Sequence, residues 1–257
     1  MIDVGTGIPL VLVPGIQGRW EWMRPSVEAL ARDYRVITAS LPGEPGVDTS
    51  FDDDADFDIF VRHVDGVLDA SGVASAIICG VSFGGLIALR YAAKRSHRVR
   101  GLILVSTPGP HWRLNASQQR YSRWPILTSP LFVLGAARRG WREMCALHPH
   151  PGARLLASVN AAWHVVTAPA VPRRMSRRAR LAERQNFEAD CMCVTVPTLV
   201  VTGERDLDRV VPCDETMSYL TLIRDSHYQL FEQTGHLGTV LAPDRFAAIV
   251  SRFGRTL

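Results

Sequence analysis

Gly80-Val81-Ser82-Phe83-Gly84-Gly85 sets a serine between two glycines at G-x-S-x-G spacing. The apolar run Ala76–Val81 leads into it, and a helical pattern over Leu86–His97 follows. In that strand–turn–helix setting the turn strains the serine backbone and lifts its hydroxyl clear, while the glycines let strand and helix approach closely. A serine hydroxyl is a poor nucleophile alone. It needs a base to take its proton and an acid to fix the tautomer of that base. Of the eight histidines, His236 in Gln233-Thr234-Gly235-His236 stands just past a late apolar run and before the last helical pattern. Asp206, in Thr202-Gly203-Glu204-Arg205-Asp206, stands just past the run Thr198–Thr202, with Asp208 and Glu204 as competitors for the acid. Both segments fall at the C-terminal ends of strands, where parallel sheets place their sites. His227 begins a strand run and reads as structural. The chemistry these residues suit is nucleophilic attack on an acyl carbon with proton transfer through an imidazole.

The elements that must position them alternate along the chain. Apolar runs at Leu10–Val13, Arg35–Ala39, Ala76–Val81, Gly101–Val105, Thr198–Thr202 and Tyr228–Phe231 read as strands, most of them buried on both faces. Between them, Pro25–Arg32, Phe57–Ser71, Leu86–His97, Asp214–Leu222 and Pro243–Phe253 carry apolar residues at three- and four-residue spacing, as helices do. This alternation implies a wound parallel sheet. It breaks after Ser106. Residues 107–195 show helical patterns, prolines and no convincing strand, and hold Trp112, Trp124, Trp141 and Trp163. The expectation is a core of residues 1–106 and 196–257 with a helical cap of residues 107–195 inserted between two strands. The four tryptophans, with Leu127, Leu131, Phe132, Val133, Leu134 and Val159, then either wall an apolar acyl pocket or glue cap to core.

With 257 residues, 47% apolar and 21% charged, the chain is long and apolar enough to bury a full core and is not a disordered segment. No apolar stretch approaches the roughly 20 residues of a membrane-spanning helix, and no signal sequence is read at the N-terminus. Five cysteines, an odd number, suggest free thiols and a cytoplasmic location. The net charge of +4 is unevenly spread: Arg113 to Arg184 contains 13 arginines against Glu143 and Glu183 alone. Nucleic-acid binding is disfavoured because no recognised binding motif accompanies the tract. If Arg113, Arg120, Arg138 and Arg142 face a pocket mouth, anionic acyl compounds gain; a solvated arginine-coated surface is the alternative. Asp52-Asp53-Asp54, with Asp56 and Asp58, reads as the solvated start of a helix rather than a metal site. Cys191-Met192-Cys193 lacks a second ligand pair at zinc spacing, Gly5-Thr6-Gly7 lacks the context of a dinucleotide loop, and no P-loop occurs. Neither a cofactor nor a metal is implied, and the expected partner is a small acyl substrate.

Taken together these segments resemble the α/β-hydrolase fold superfamily, in its capped single-domain serine hydrolase form. The resemblance rests on the elbow around Ser82, on Pro197-Thr198-Leu199-Val200-Val201-Thr202-Gly203-Glu204-Arg205-Asp206, and on Gly235-His236. It extends to Gly15-Ile16-Gln17-Gly18, to Trp22, Pro25 and Tyr34-Arg35-Val36-Ile37, and to Leu41-Pro42-Gly43. The order Ser82, Asp206, His236 is also that of the family. What the resemblance implies is a mostly parallel sheet of six or seven strands flanked by helices, with Ser82, Asp206 and His236 as catalytic residues. The backbone N–H groups of Ile16 (Gln17 being the neighbouring candidate) and Phe83 would form the oxyanion hole. Pro14-Gly15 stands where the family commonly has His-Gly, and only Met1–Pro9 precede the first full strand, so the usual opening hairpin is shortened or missing. The implied activity is hydrolysis of a carboxylic ester or related small acyl compound through an acyl-enzyme on Ser82. Carbon–carbon bond hydrolysis, lactone or thioester hydrolysis and acyl transfer use the same three residues, and a ligand receptor on this fold is the reading outside enzymes.

Overall fold

A computed structural model describes residues 1–47, 49, 51, 55–148, 150–152, 154–155, 158–159 and 167–257, with the side chains of residues 130–133, 136 and 137 excepted. Seven strands form one sheet: β1 (Ile2–Val4), β2 (Ile8–Val13), β3 (Tyr34–Thr38), β4 (Ala76–Val81), β5 (Val99–Val105), β6 (Thr198–Thr202) and β7 (Ser226–Leu230). Their spatial order is β1-β3-β2-β4-β5-β6-β7. All neighbours are parallel except β1, which pairs antiparallel with β3. β1 is three residues long.

The apolar runs are continuous because both faces of the sheet are covered. Leu10, Leu12, Ile77, Cys79, Ile103 and Val201 point into one apolar cluster with α1 (Arg24–Leu30) and the C-terminal helix Pro243–Gly254. Val11, Val13, Ile78, Leu102, Leu104 and Val200 point into the other, with α2 (Asp58–Ala70) and α3 (Phe83–Lys94). Alternate residues of the inner strands β2 to β6 therefore feed opposite cores. Asp58 opens α2 as expected, while Asp52, Asp53 and Asp54 lie outside the described residues.

The chain winds from β2 out to β3, then returns to lay β4 on the other side of β2. That reversal leaves a crevice past the C-terminal ends of β2 and β4, the position where open α/β sheets bind ligands. Between β5 and β6 the described residues form α4 (Ala116–Arg123), α5 (Ser129–Leu147), α6 (Pro172–Glu183) and α7 (Phe187–Cys193), and no strand. Helix α7 packs on α3, with Phe187 and Cys191 in the core cluster, so this end of the insertion is part of the helical layer over the sheet. Trp112 packs against the same cluster, but Trp124, Trp141, Leu127, Leu134 and Val159 are all more than half exposed. Trp163 and the side chains of Leu131, Phe132 and Val133 lie outside the described residues.

Candidate active site

Ser82 sits where β4 turns into α3, with φ 56° and ψ −123°, a conformation L-residues rarely adopt. The turn is held by its neighbours: its N–H donates to the Val105 carbonyl, and its own carbonyl accepts from Gly85, both at 2.8 Å. A Cβ on Gly80 would fall 2.2 Å from the Gly84 carbonyl oxygen, and one on Gly84 would fall 2.3 Å from that of Val13. Only glycine at both positions lets helix and strands close this far. The same closeness sets the start of α3 against the carbonyls of Val13 and Pro14, where the chain leaves β2. Helix-initial N–H groups have no partner within their own helix.

The hydroxyl of Ser82 caps no helix N–H and lies instead 3.0 Å from Nε2 of His236. On the other side of the ring, Nδ1 is 3.3 Å from Oδ2 of Asp208. Asp206 is not in this set. Its side chain is exposed, in a cleft of about 270 Å³ that also contains Gly203, Arg205 and Tyr228. The reason lies in the turn after β6, where the N–H groups of Leu207 and Asp208 both return to the Glu204 carbonyl, at 3.0 and 2.9 Å. That helical turn carries Asp208 inward and leaves Asp206 outside, which corrects the sequence expectation for the residue facing His236. Glu204, the other competitor, has a different job: Oε1 accepts the N–H of Gln233 at 2.7 Å, in the loop leading to His236.

Asp208 is buried, and its Oδ1 accepts the N–H groups of Val210 and Val211, each at 3.0 Å. Burial pushes its carboxyl pKa up, but the His236 ring and these two N–H groups outweigh burial, and the net shift is downward. The carboxylate is therefore held ionised against the imidazole. Gly235 permits the contact: a Cβ there would lie 2.6 Å from the Leu207 carbonyl and 2.9 Å from the Asp208 nitrogen.

A hydroxyl, an imidazole and a buried carboxylate in a hydrogen-bonded row can generate an alkoxide-like nucleophile at neutral pH. The profile of the α/β-hydrolase fold matches residues 8–123, a stretch that includes the elbow. The chain has the α/β-hydrolase fold. It is 27% identical to a 2-hydroxymuconate semialdehyde hydrolase of Pseudomonas sp. (strain CF600) over 98% of this chain and 88% of that one. Among solved structures, a meta-cleavage product hydrolase of Pseudomonas fluorescens superposes with a TM-score of 0.75 at 23% identity, covering 99% of this chain and 93% of the other. An enol-lactonase of Burkholderia xenovorans superposes with a TM-score of 0.76 at 18% identity, covering 98% and 94%.

Two further residues of this chain have no local sequence motif to mark them. Arg178 on α6 is fully buried and donates to the carbonyls of Ile16 and Pro42, each at 3.0 Å, and to Glu44 at 2.8 Å. It thereby ties the loop that bears the Ile16 N–H to the insertion. Glu143 on α5 is the second, and both of its oxygens reach the His236 loop. The available signal was scarcity, since Glu143 is one of two acids in a tract of 13 arginines. Arg113, Arg120, Arg138 and Arg142 are all exposed. His227, 71% exposed at its side chain on β7, stands apart from the row.

Proposed function

We propose that the protein is a serine hydrolase of small acyl compounds, with Ser82 as nucleophile, His236 as general base and acid, and Asp208 as the residue that orients His236. The observation that carries this reading is the row itself, 3.0 Å from Ser82 to His236 and 3.3 Å from His236 to Asp208. Ser82 Oγ attacks the carbonyl carbon as Nε2 of His236 takes its proton. The carbonyl oxygen, now negative, is met by the N–H groups of Phe83 and Ile16, which is where developing charge needs preorganised donors. The tetrahedral intermediate collapses, the leaving group departs with the proton from His236, and an acyl-Ser82 remains. Water, deprotonated by His236, then releases the acid and restores the serine. The insertion of residues 107–195 serves as the cap over this crevice.

The relatives favour a carbon–carbon bond as the one cleaved. A curated relative from Pseudomonas putida, a 2-hydroxy-6-oxo-2,4-heptadienoate hydrolase, is named for an acid with a ketone five carbons from its carboxylate. For such a bond the departing carbon must pass its electron pair into a conjugated carbonyl, which an oxo-dienoic acid provides and a simple ketone does not. Carboxylic esters are the second substrate class, since the same row and the same donors serve an oxygen leaving group. A panel of 2-hydroxy-6-oxo-dienoic acids, p-nitrophenyl esters and enol-lactones, run beside fluorophosphonate labelling, separates these classes. The expected result is labelling at Ser82, lost in Ser82→Ala, with turnover highest on the dienoic acids. Labelling that persists in Ser82→Ala would overturn the nucleophile, and steady ester turnover with none on the dienoic acids would overturn the preferred bond.

A further inference from the structure

Glu143 stands outside the row that does the chemistry, yet its carboxylate is placed with more care than a surface acid needs. It is 2% exposed on α5, inside an otherwise arginine-rich stretch. Oε1 accepts the N–H of Gly235 at 2.7 Å, and Oε2 accepts the N–H of Leu237 at 2.9 Å. These are the two residues on either side of His236. One carboxylate thus holds the peptide that follows His236 and the peptide that precedes Gly235, bracketing the backbone that carries the His236 ring. The helix comes close enough that a Cβ on Gly140 would touch the Leu237 side chain at 3.0 Å. Burial pushes the Glu143 carboxyl up, the two N–H groups and His236 pull it down, Asp208 pushes it up, and the net shift is upward. His236 and Asp208 are the charged groups that face it. Glu183, the other acid of the tract, shows the contrast: it accepts the N–H of Leu114 at 3.1 Å, inside the insertion and away from the histidine loop.

We infer that Glu143 is a positioning residue for His236: its carboxylate holds the backbone N–H groups of the residues before and after the histidine, so that docking of the α5 helix sets the ring between Ser82 and Asp208. The inference rests on the reading of His236 as the base. A merely structural acid at this position would need one hydrogen bond and no relation to the histidine. A two-oxygen acceptor spanning the residues before and after it restrains the ring from both sides. Small misplacements of a catalytic group cost up to about 100-fold in rate.

The test compares Glu143→Gln, Glu143→Asp and Glu183→Gln on whichever substrate the panel selects. Glutamine offers one acceptor and turns an NH2 toward the other backbone N–H, so one half of the clamp is lost. Glu143→Gln is expected to lower kcat by about 10- to 100-fold with KM within about twofold of wild type. It also removes a negative charge near His236, which moves the acidic limb of the kcat/KM profile to lower pH. Glu143→Asp keeps the charge but draws it back, so kcat falls while the limb stays in place. Glu183→Gln loses stability without either change. The limb is read independently from the 15N titration of the His236 ring, which needs no turnover. A Glu143→Gln protein with kcat within twofold of wild type and an unmoved limb overturns the clamp. So does an equal loss of kcat and Tm in Glu143→Gln and Glu183→Gln with the limb unmoved, which makes Glu143 a plain cap anchor. Absence of fluorophosphonate labelling in the wild type overturns the Ser82 reading instead, and leaves the His236 titration to decide the clamp.

Discussion

Asp206 and Asp208 differ by two residues, and replacing each by asparagine tests the site most sharply. In Asp208→Asn the new amide has one oxygen and one NH2 to place. The Oδ1 position accepts two backbone N–H groups, those of Val210 and Val211 at 3.0 Å each. An NH2 cannot take that position without facing two donors, so the oxygen stays and the NH2 turns to His236 Nδ1, 3.3 Å away. Nδ1 must then be the acceptor and Nε2 the N–H, which leaves the atom facing Ser82 unable to receive its proton. The wrong tautomer in such a row costs about 10⁴-fold in kcat, or about 5 kcal/mol of transition-state stabilisation. Asp208 is buried, whereas Asp206 is exposed and offers the turn only its carbonyl, which accepts from Arg209 at 3.1 Å. Asp206→Asn is therefore expected within about twofold of wild type. The assay is kcat/KM on one chromogenic ester for the three proteins, with Tm to confirm that each is folded. Equal losses in the two variants, or an Asp208→Asn protein within tenfold of wild type, would refute the tautomer argument.

Gly235→Ala places a methyl 2.6 Å from the Leu207 backbone and must push the His236 loop away from Asp208; kcat should fall about 100-fold, and an unchanged kcat would count against the close packing. His63 is held neutral by burial, which takes its pKa from 6.5 to about 4 against a weaker opposing bond to the Ser40 backbone. Its folded value lies below its unfolded one, so the unfolded chain binds the extra proton and stability is lost as pH falls from 6.5 toward 4, by about 3 kcal/mol in all. Urea unfolding between pH 7 and 5 should show this slope, and His63→Leu should flatten it. Arg90→Leu removes a guanidinium 2.6 Å from the buried Asp190 and 3.2 Å from Asp58; an unpaired buried carboxylate costs about 3–5 kcal/mol, so a Tm within a degree of wild type would show that Asp190 finds another partner.

Much of the fold is legible in the sequence because it is set by local pattern. The apolar runs Ala76–Val81, Gly101–Val105 and Thr198–Thr202 mark β4, β5 and β6 since the sheet is covered on both faces there, and Leu10 and Val11 serve opposite cores though they are neighbours. Gly80 and Gly84 mark the elbow for a similar reason: the strand-to-helix approach excludes a Cβ within a few residues of the serine itself. His236 is legible because a histidine after a glycine, past the last strand and before the last helix, falls at the ligand-binding edge of the sheet. The choice between Asp206 and Asp208 is of another kind. It depends on whether the turn after β6 closes onto the Glu204 carbonyl, and that turn is braced by the bond from Glu204 N–H to the Thr234 carbonyl, 2.7 Å long across two loops. Side chains two apart on such a turn point to different sides, so the fold around the loop, and not the spacing of the acids, selects Asp208. Glu143 and Arg178 lie further beyond local reading. Their partners, Gly235, Leu237, Ile16, Pro42 and Glu44, stand roughly 90 to 160 residues away in the chain. A buried charge is tolerated only where partners converge on it, and that convergence exists only once the insertion has docked on the sheet.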